Sequence, residues 1–440
     1  MKPPALRAAS PLAALLLQAA LFVSCVTTDP FIPVDEFADT ENFSQAAAAL
    51  EERQKTIYRD KDRVLYCLDK GLLAHYAGDY EASSALLEEG ERAIEENFAV
   101  SISQEIGTIL VSDRSREYDG EDYEDIYLNA FNALNYYRRG NMDEALVEIR
   151  RMNNKLRNLS VKYGTIMTNM QKLALENNTE LPQNSGAPLK FNNSALARYL
   201  GMLFYRGAGL PDDARIDQQQ LQIAMAGAPS VYPHPPPSSV MEELAVPPDL
   251  ARLNVIGFAG RSPVKKEEVI RVPLGINWIK IALPVMSPRN SQVVSIKVVF
   301  DSGESFTLEL LENIGAVITA TFEQRKSLIY TRSILRASVK GISAAVFNAL
   351  EESSDENAWV FSLLSLGTQV FAEASEKADL RGGRYFPNKA YVGGITLRPG
   401  VYSFSIIYYD GHGRVLAARR HENIPLRANT LNLMEEVCLK

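Results

Sequence analysis

The spacing of apolar residues changes once along the chain. Between residues 43 and 226, apolar residues recur mostly every three or four positions, and sustained alternation of apolar and polar residues is almost absent. Because an α-helix turns once in about 3.6 residues, this spacing predicts a helical half. After residue 251 the chain carries short runs of β-branched and aromatic residues, among them 253–258, 293–300 and 402–409. These runs predict strands.

The second half also contains helical spacing. An insertion at about 312–377 has long apolar stretches of helical period. The Asp-Gly-His-Gly sequence at 410–413 predicts a hairpin turn, because glycine tolerates positive φ. We therefore expect residues 251–440 to form an α+β domain, an antiparallel β-sheet or sandwich with inserted helices. Further strands are predicted at 278–283, 415–422 and 429–437.

A proline-rich stretch at 227–250 separates the two halves. We expect no helix there, because proline lacks the backbone N–H and its ring clashes with the preceding turn. The stretch is predicted to be a semi-extended linker or a loop lying along the surface, between a helical domain at 43–226 and the α+β domain at 251–440. Its prolines are Pro229, Pro233, Pro235, Pro236, Pro237, Pro247 and Pro248.

Three stretches of the helical half share one pattern. In 71–82, 132–146 and, more faintly, 199–214, an aromatic-rich helix leads to a glycine turn, and an acidic and a small residue open the next helix. They resemble the helix pairs of tetratricopeptide repeats, where glycine reverses the chain and alanine allows close packing. A strict array repeats about every 34 residues. Gly78 and Gly140 are nearly twice that far apart, which indicates that an intervening pair has degenerated or been replaced.

Residues 1–24 have the layout of a secretory signal peptide. A short basic region precedes an apolar stretch at 12–23, which is shorter than the roughly 20 residues that span a bilayer. Residues 22–25 resemble the lipobox of bacterial lipoproteins, in which the cysteine sulfur takes a diacylglycerol and the cysteine becomes the mature N-terminus. The resemblance implies a membrane anchor through lipid on Cys25. The residues that follow have no helical or strand period and contain prolines, which predicts a tether at 25–42. The alternative is a plain signal peptide with an incidental cysteine.

Composition narrows the choice of partners. The chain has a net charge of -8 and a pI near 5.3, whereas proteins bind phosphate backbones through clustered Lys and Arg. A nucleic-acid partner is therefore not expected. Beyond the lipobox the chain contains Cys67 and Cys438. We expect both to be free, buried thiols and not to form a disulfide.

The sequence contains no recognisable catalytic or metal-binding constellation. The four histidines are not spaced as metal ligands. The glycine-containing run 257–263 lacks the Gly-Lys-Ser/Thr ending of a phosphate loop, and we expect a loop or bulge there. The acidic segment 116–127 lacks the ligand spacing of a calcium loop and is predicted to be a solvated helix start. We predict no enzyme activity, no metal, no cofactor and no small-molecule ligand.

Tyrosines crowd the helical half and suggest a binding surface. Tyrosine offers contact area and a hydrogen bond at low entropic cost. Tyr80 and Tyr136 lie near glycine turns, where aromatic residues pack between helices, and we expect them to be structural. Tyr118, Tyr123 and Tyr127 alternate with carboxylates that should keep their segment near water. These three are the candidate contacts for a protein or peptide partner.

Three segments carry a resemblance to a known family. They are residues 118–124, the helix pair at 133–151, and the Ala-Asp-Leu-Arg unit at 378–381 with Phe-Pro at 386–387. Together they resemble an uncharacterised family of spirochaete-like bacterial lipoproteins with a tetratricopeptide-like helical half. The resemblance implies a lipid-anchored protein of the cell envelope, at the outer membrane or the periplasmic face of the inner membrane, and no established activity. Where that family is expected to have Trp, this chain has Gly-Gly at 382–383.

The sequence favours a lipid-anchored envelope scaffold or binding module for a protein or peptide partner. Stacked helix pairs present concave surfaces that suit this role. One alternative is a membrane-active or transport-associated lipoprotein that uses the apolar helices of 328–374, and another is a hydrolase with an unrecognised site. We assign the helix at 358–374 to the core of the α+β domain, because it is shorter than a membrane span and polar residues interrupt it.

Overall fold

The computed structural model describes residues 29–103, 116–176, 193–274, 277–323 and 378–440. Cys25, the predicted signal peptide and the predicted helix at 358–374 lie outside the described residues. Within these residues the chain is helical as far as Glu242 and mostly strand from Ala251 onward, which confirms a helical half followed by a sheet-rich region. No described helix has the length and apolarity that crossing a bilayer requires.

The helices follow the apolar spacing of the first half. Several begin with a side-chain cap, as where Asn42 accepts a hydrogen bond from the Gln45 N–H at 3.4 Å. The helices are α1 Ile32–Asp39, α2 Phe43–Glu52, α3 Gln54–Ile57, α4 Arg63–Tyr76, α5 Tyr80–Ser103, α6 Asp122–Arg138, α7 Met142–Glu176, α8 Ala195–Gly207, α9 Pro211–Gly227 and α10 Ser238–Glu242. Residues 314–323, named α11, are also helical.

Three helical hairpins, α4/α5, α6/α7 and α8/α9, share the same turn. In the first, the Asp79 N–H donates to the Ala74 carbonyl and the Gly78 N–H to the His75 carbonyl, the two bonds of a Schellman turn. The same pair of bonds recurs at the other two turns. Their glycines have φ of +81°, +77° and +74°, a region that a Cβ atom disfavours. The three stretches with a shared sequence pattern therefore each form the same local structure, a helical hairpin with a Schellman turn.

The strands of the described residues form two four-stranded sheets and one ribbon. The first sheet has the order β10-β1-β7-β6, the second has the order β5-β4-β8-β9, and β2 and β3 form the ribbon. All pairings are antiparallel except that of β1 with β10. The strands are β1 Ala251–Arg261, β2 Val264–Leu274, β3 Asn277–Ser287, β4 Ser295–Phe300, β5 Ser305–Thr307, β6 Glu309–Glu312, β7 Pro387–Leu397, β8 Gly400–Tyr409, β9 Val415–Leu426 and β10 Asn432–Cys438. The hairpin predicted at 410–413 joins β8 to β9 and is confirmed.

The first sheet lies between the helices and the second sheet. Successive residues of a strand point to opposite faces, and β1 is buried on both. Leu253 and Val255 belong to the core between the two sheets, whereas Ile256 and Phe258 belong to the core shared with the helices. The Phe258 ring centroid is 5.2 Å from that of Phe131 in α6. The helical half and the first sheet therefore share one hydrophobic core.

Two local expectations are wrong. Residues 257–261 continue β1 instead of forming a loop, because a Cβ at Gly257 would lie 2.5 Å from Ile296 and glycine there lets the sheets approach. The proline-rich stretch contains the short helix α10, which starts directly after Pro237, a place where proline is compatible with a helix. Tyr232 and Val240 are buried, so this stretch packs against the body of the protein.

Candidate functional site

The structure buries the three candidate tyrosines. Tyr118 and Tyr123 are each 4% exposed and Tyr127 is fully buried, so the expectation that their segment faces water is wrong. The reason lies in the neighbouring carboxylates, which act as buried hydrogen-bond acceptors instead of solvated charges. Tyr118 and Tyr123 donate to Glu124 at 2.8 and 3.2 Å, and Tyr127 donates to Glu312 at 2.6 Å.

Glu124 anchors a loop from the other half of the chain. We name residues 378–386 the latch. The Gly383 N–H of the latch donates to the Glu124 carboxylate at 2.6 Å. The Glu121 N–H donates to the same carboxylate at 2.8 Å, so Glu124 also caps the start of α6. Burial raises the pKa of Glu124 to about 7. A Cβ at position 383 would lie 2.7 Å from the Phe386 ring, so glycine permits this backbone approach.

Further carboxylates of the helical half hold the latch. The Arg384 N–H donates to Asp69 at 2.6 Å, and burial raises the pKa of Asp69 to about 6. The Arg384 guanidinium pairs with Asp35 of α1 at 2.5 Å, and Arg381 pairs with Asp62 at 3.4 Å. The latch thus joins α1, α4 and α6 to the start of β7. The surface that these helices would otherwise present is occupied by the chain itself.

Glu312 forms a second set of contacts between the sheet-rich region and the helical half. It is fully buried at the end of β6 and accepts hydrogen bonds from Tyr127, from Tyr232 at 2.5 Å and from Ser194 at 2.9 Å. The Ala195 N–H at the start of α8 donates to it at 2.8 Å, and a helix N-terminus favours negative charge. Burial raises its pKa. Tyr127 is therefore a structural residue and is not accessible to a partner.

An open groove lies between α5 and α7, the neighbouring helices of two hairpins. Its volume is about 520 Å³. Five glutamates line it against two arginines and one lysine, so acidic residues are in excess. The lining residues are Glu88, Glu91, Arg92, Glu95, Tyr136, Glu144, Val147, Glu148, Arg151, Asn154, Lys155 and Asn158.

The floor of the groove is a hydrogen-bonded charge network. Glu91 accepts from Lys155 at 2.6 Å, from Arg151 at 2.8 Å and from Asn129 at 2.9 Å. Asn129 also donates to Glu148 at 2.6 Å. Burial alone would raise the pKa of Glu91, but Lys155 and the other donors outweigh it and lower that pKa. The pKa of Glu148 is raised, chiefly by burial and also by the charge of Glu91. The floor is thus fixed by contacts within the chain.

The rim of the groove is more open. Glu95, Glu144 and Arg92 are exposed there. Tyr136 packs against the hydrophobic core, as its position near a glycine turn predicts. It is half-buried, and its hydroxyl donates to Glu88 at 2.5 Å. The Arg139 guanidinium already lies over the Tyr136 ring, 5.4 Å from its centroid. The exposed carboxylates of the rim are therefore the groups that suit a cationic side chain of a partner.

Sequence reasoning missed the groove, although α6 carried a signal for it. Asn129, Asn132 and Asn135 recur every three residues on a helix that is otherwise largely apolar, and all three are fully buried. Buried amides need polar partners, so such a stripe predicts charged or polar residues on the helices packed against it. Asn129 meets Glu91 and Glu148 in this way.

Other chemistry in the described part of the chain is limited. Cys67 and Cys438 are free and buried, as expected, and burial raises the pKa of both thiols to about 12, which makes them poor nucleophiles. The described residues include no group of three or more His, Cys, Asp or Glu side chains placed to hold a metal ion.

Comparisons with known protein families, with curated proteins and with solved structures find no match. The resemblance to bacterial lipoproteins and the lipid anchor at Cys25 therefore stay predictions. A function is best argued from the groove and from the parts of the surface that the chain leaves open.

Proposed function

We propose that this protein is a lipid-anchored scaffold of the bacterial cell envelope and that the groove between α5 and α7 binds a protein or peptide partner. The observation that carries the proposal is the open, charged groove between two hairpins, next to helices whose other surface is filled by the latch. Repeated helical hairpins support a tetratricopeptide-like scaffold, since stacked helix pairs expose such surfaces. Tyr118, Tyr123 and Tyr127 have no part in it, because they are buried.

The groove favours a partner segment that carries Lys or Arg. Acidic residues outnumber basic ones in its lining, and Glu95 and Glu144 stand exposed at its rim. Complementary charge steers encounter and sets specificity, and its effect weakens as salt screens it. We therefore expect binding that is selective for basic segments and that decreases with ionic strength.

The double variant Glu95→Gln/Glu144→Gln tests the groove. Both side chains are exposed, so the change removes two charges without disturbing the floor. In a crosslinking pull-down from cells, we expect the variant to lose the partner that the unmodified protein captures. The matched control is Glu36→Gln/Glu52→Gln, which removes two exposed charges outside the groove and should capture the partner normally.

The identity of the crosslinked peptides shows whether the groove binds a basic segment of its partner. A partner segment that contains Lys or Arg and is joined to α5 or α7 supports the proposal. Equal capture by the groove variant and its control, or crosslinks that map away from both helices, would show that the partner binds elsewhere.

The lipid anchor has its own test in the variant Cys25→Ser. We expect the unmodified protein to enter the detergent phase and to carry acyl mass on its first residue, and the variant to stay in the aqueous phase. Two or more acyl chains hold a protein firmly to a membrane. A variant that still enters the detergent phase, together with an unmodified protein without acyl mass, would refute the anchor.

A further inference from the structure

His75 and Glu435 form a buried pair at the junction of the two halves. His75 lies in the last turn of α4 and is 4% exposed, and Glu435 lies in β10 and is 9% exposed. The His75 Nε2 atom is 3.3 Å from the Glu435 Oε1 atom. Helices α5 and α6 contact the imidazole through Tyr80 and Phe131, whose ring centroids lie 5.7 and 5.1 Å from its own. The pair therefore joins two helical hairpins to the first sheet.

A chain of hydrogen bonds determines which atom of the other imidazole nitrogen's partner faces the ring. The Ser83 hydroxyl donates to the Gly71 carbonyl at 2.8 Å, so towards the Asn135 side chain, 2.8 Å away, it can only accept. The Asn135 amide therefore turns its NH2 group to Ser83 and its Oδ1 atom to His75 Nδ1, at 2.6 Å. Because Oδ1 is only an acceptor, Nδ1 carries a hydrogen whether or not the ring is charged.

The contact between His75 Nε2 and the Glu435 carboxyl group then depends on one shared proton. With the proton on the ring, an imidazolium donates to a carboxylate. With the proton on Glu435, a carboxylic acid donates to a neutral imidazole. Without it, a ring lone pair and a carboxylate, which are both acceptors, face each other at 3.3 Å. That arrangement also places a negative charge in the core, which burial disfavours.

Little around the pair compensates for loss of the proton. The other carboxylate oxygen of Glu435, Oε2, is buried and has no hydrogen-bond partner among the residues that the structure describes. The positive charge of Arg138 in α6 acts on Glu435 from a distance. The hydrogen bonds of its guanidinium, however, go to the Tyr80 hydroxyl at 3.1 Å and to the Met434 sulfur at 4.0 Å. Loss of the proton therefore leaves a buried anion that no donor in the described part of the chain contacts directly.

Two other ionisable neighbours are turned away from the pair. Glu436, the next residue of β10, points to the opposite face of the strand, where it lies 3.2 Å from His421. Tyr76 of α4 turns its hydroxyl to the Tyr385 carbonyl, to which it donates at 3.0 Å. Burial outweighs the nearby positive charge and raises the pKa of Glu435. The surroundings therefore favour the protonated pair.

We propose that the His75–Glu435 pair is a proton-dependent contact between the helical half and the first sheet. The shared proton keeps the α4/α5 turn and α6 docked on β10, and its loss as pH rises opens this junction locally. The sign follows from linkage. A carboxyl group whose pKa is raised by folding contributes stability that is complete below its ordinary value of 4.5 and is lost as pH rises through the folded value. This inference is independent of the groove and of the lipid anchor.

Hydrogen–deuterium exchange of the full mature chain tests the proposal. Backbone amides of Asn432–Cys438 and of the α4/α5 turn report local opening of the junction, once the intrinsic pH dependence of exchange is subtracted. Because opening releases one proton, its equilibrium constant should rise by up to about tenfold per pH unit where the pair titrates. In Glu435→Gln the amide NH2 donates to the neutral His75 ring at every pH, so exchange at the junction should no longer depend on pH.

Two control variants separate this pair from other carboxylates. Glu436→Gln removes the neighbouring carboxylate on the opposite face of β10 and should keep the pH dependence of the junction. Glu124→Gln removes a titrating group of the latch and should change exchange at Gly383 while leaving the junction as in the unmodified protein. Circular dichroism and thermal melts establish that each variant is folded.

A second measurement needs no variant. Nitrogen chemical shifts of the His75 ring in the unmodified protein should show a hydrogen on Nδ1 at every pH and loss of the proton shared at Nε2 as the junction opens. Exchange at the junction that does not change with pH would overturn the proposal. A Glu435→Gln variant that keeps the full pH dependence, or a neutral ring with its hydrogen on Nε2, would overturn it as well.

Discussion

The latch and the groove use acidic side chains in opposite ways. At the latch, Glu124 and Asp69 are buried and accept hydrogen bonds from backbone N–H groups of a loop that is distant in the chain. Gly383 is 259 positions from Glu124, and Arg384 is 315 positions from Asp69. In the groove, the carboxylates of the floor, Glu91 and Glu148, likewise accept hydrogen bonds from other residues of the chain. Glu95 and Glu144 remain exposed over a space of about 520 Å³.

This contrast gives a rule for assigning acidic residues in this protein. A carboxylate whose acceptor sites are taken by its own chain contributes to stability, because its removal leaves buried donors without partners. A carboxylate exposed beside an open groove contributes little to stability and much to recognition. Substitutions at the latch should therefore act on unfolding, and substitutions at the groove rim should act on binding.

The largest effect is expected at Tyr127. Tyr127→Ala removes a fully buried ring and one donor to Glu312, and truncation of a large buried aromatic residue costs about 3–5 kcal/mol. Tyr80→Ala, at a half-buried position, should cost less than half as much. Urea unfolding of both variants measures the difference. Equal costs would mean that the acidic tyrosine segment is less integral to the core than its burial indicates.

The next effect concerns the contact between Glu124 and the latch. Glu124→Ala removes the acceptor of the Gly383 N–H and of the Tyr118 and Tyr123 hydroxyls. Each buried donor left unpaired costs about 1–3 kcal/mol. Gly383→Ala places a Cβ 2.7 Å from the Phe386 ring and should also cost about 1–3 kcal/mol. Because both changes disrupt one contact, the double variant should lose less than the sum. Strict additivity in denaturant unfolding would indicate that the two residues act independently.

A smaller effect is expected in the dependence of stability on pH. Burial raises the pKa of Glu124 from 4.5 to about 7 and that of Asp69 from 3.8 to about 6. The folded state then holds these protons more tightly than the unfolded state. Their contribution to stability is complete below the unfolded pKa values and is lost as pH rises through the folded ones. Each group contributes a slope of at most about 1.4 kcal/mol per pH unit.

Glu124→Gln cannot titrate and should flatten that slope. Unfolding free energies measured across mildly acidic to neutral pH compare the variant with the unmodified protein, and Glu52→Gln, an exposed site, serves as the control. An unchanged slope in the Glu124 variant would show that its carboxyl group does not hold a proton in the folded state over this range.

The smallest effect on stability is expected at the groove rim. Glu95→Gln/Glu144→Gln should change the free energy of unfolding by no more than about 0.5 kcal/mol, because exposed substitutions away from the core have effects of this size. The same variant is expected to lose its partner. A thermal melt well below that of the unmodified protein would assign these two residues to the structure and would remove the contrast with the latch.

The sequence by itself determined most of the local structure of the described chain, but not the strand through 257–261 or the helix α10. Apolar spacing predicted the helices and strands, since a period of 3.6 or 2 residues follows from backbone geometry alone. Glycine predicted the three helical turns and the β8–β9 hairpin, because positive φ is a property of single residues. These features depend on neighbours a few positions apart, which the sequence displays directly.

Tertiary structure alone decided which polar residues are buried. The alternation of Tyr118, Tyr123 and Tyr127 with carboxylates suggested a solvated segment, but the latch covers part of it and Glu312 receives the Tyr127 hydroxyl from 185 residues away. The same acidic residue is a solvated charge or a buried acceptor according to what packs on it. That depends on contacts between distant parts of the chain, which no local pattern encodes, and it separates the closed latch from the open groove.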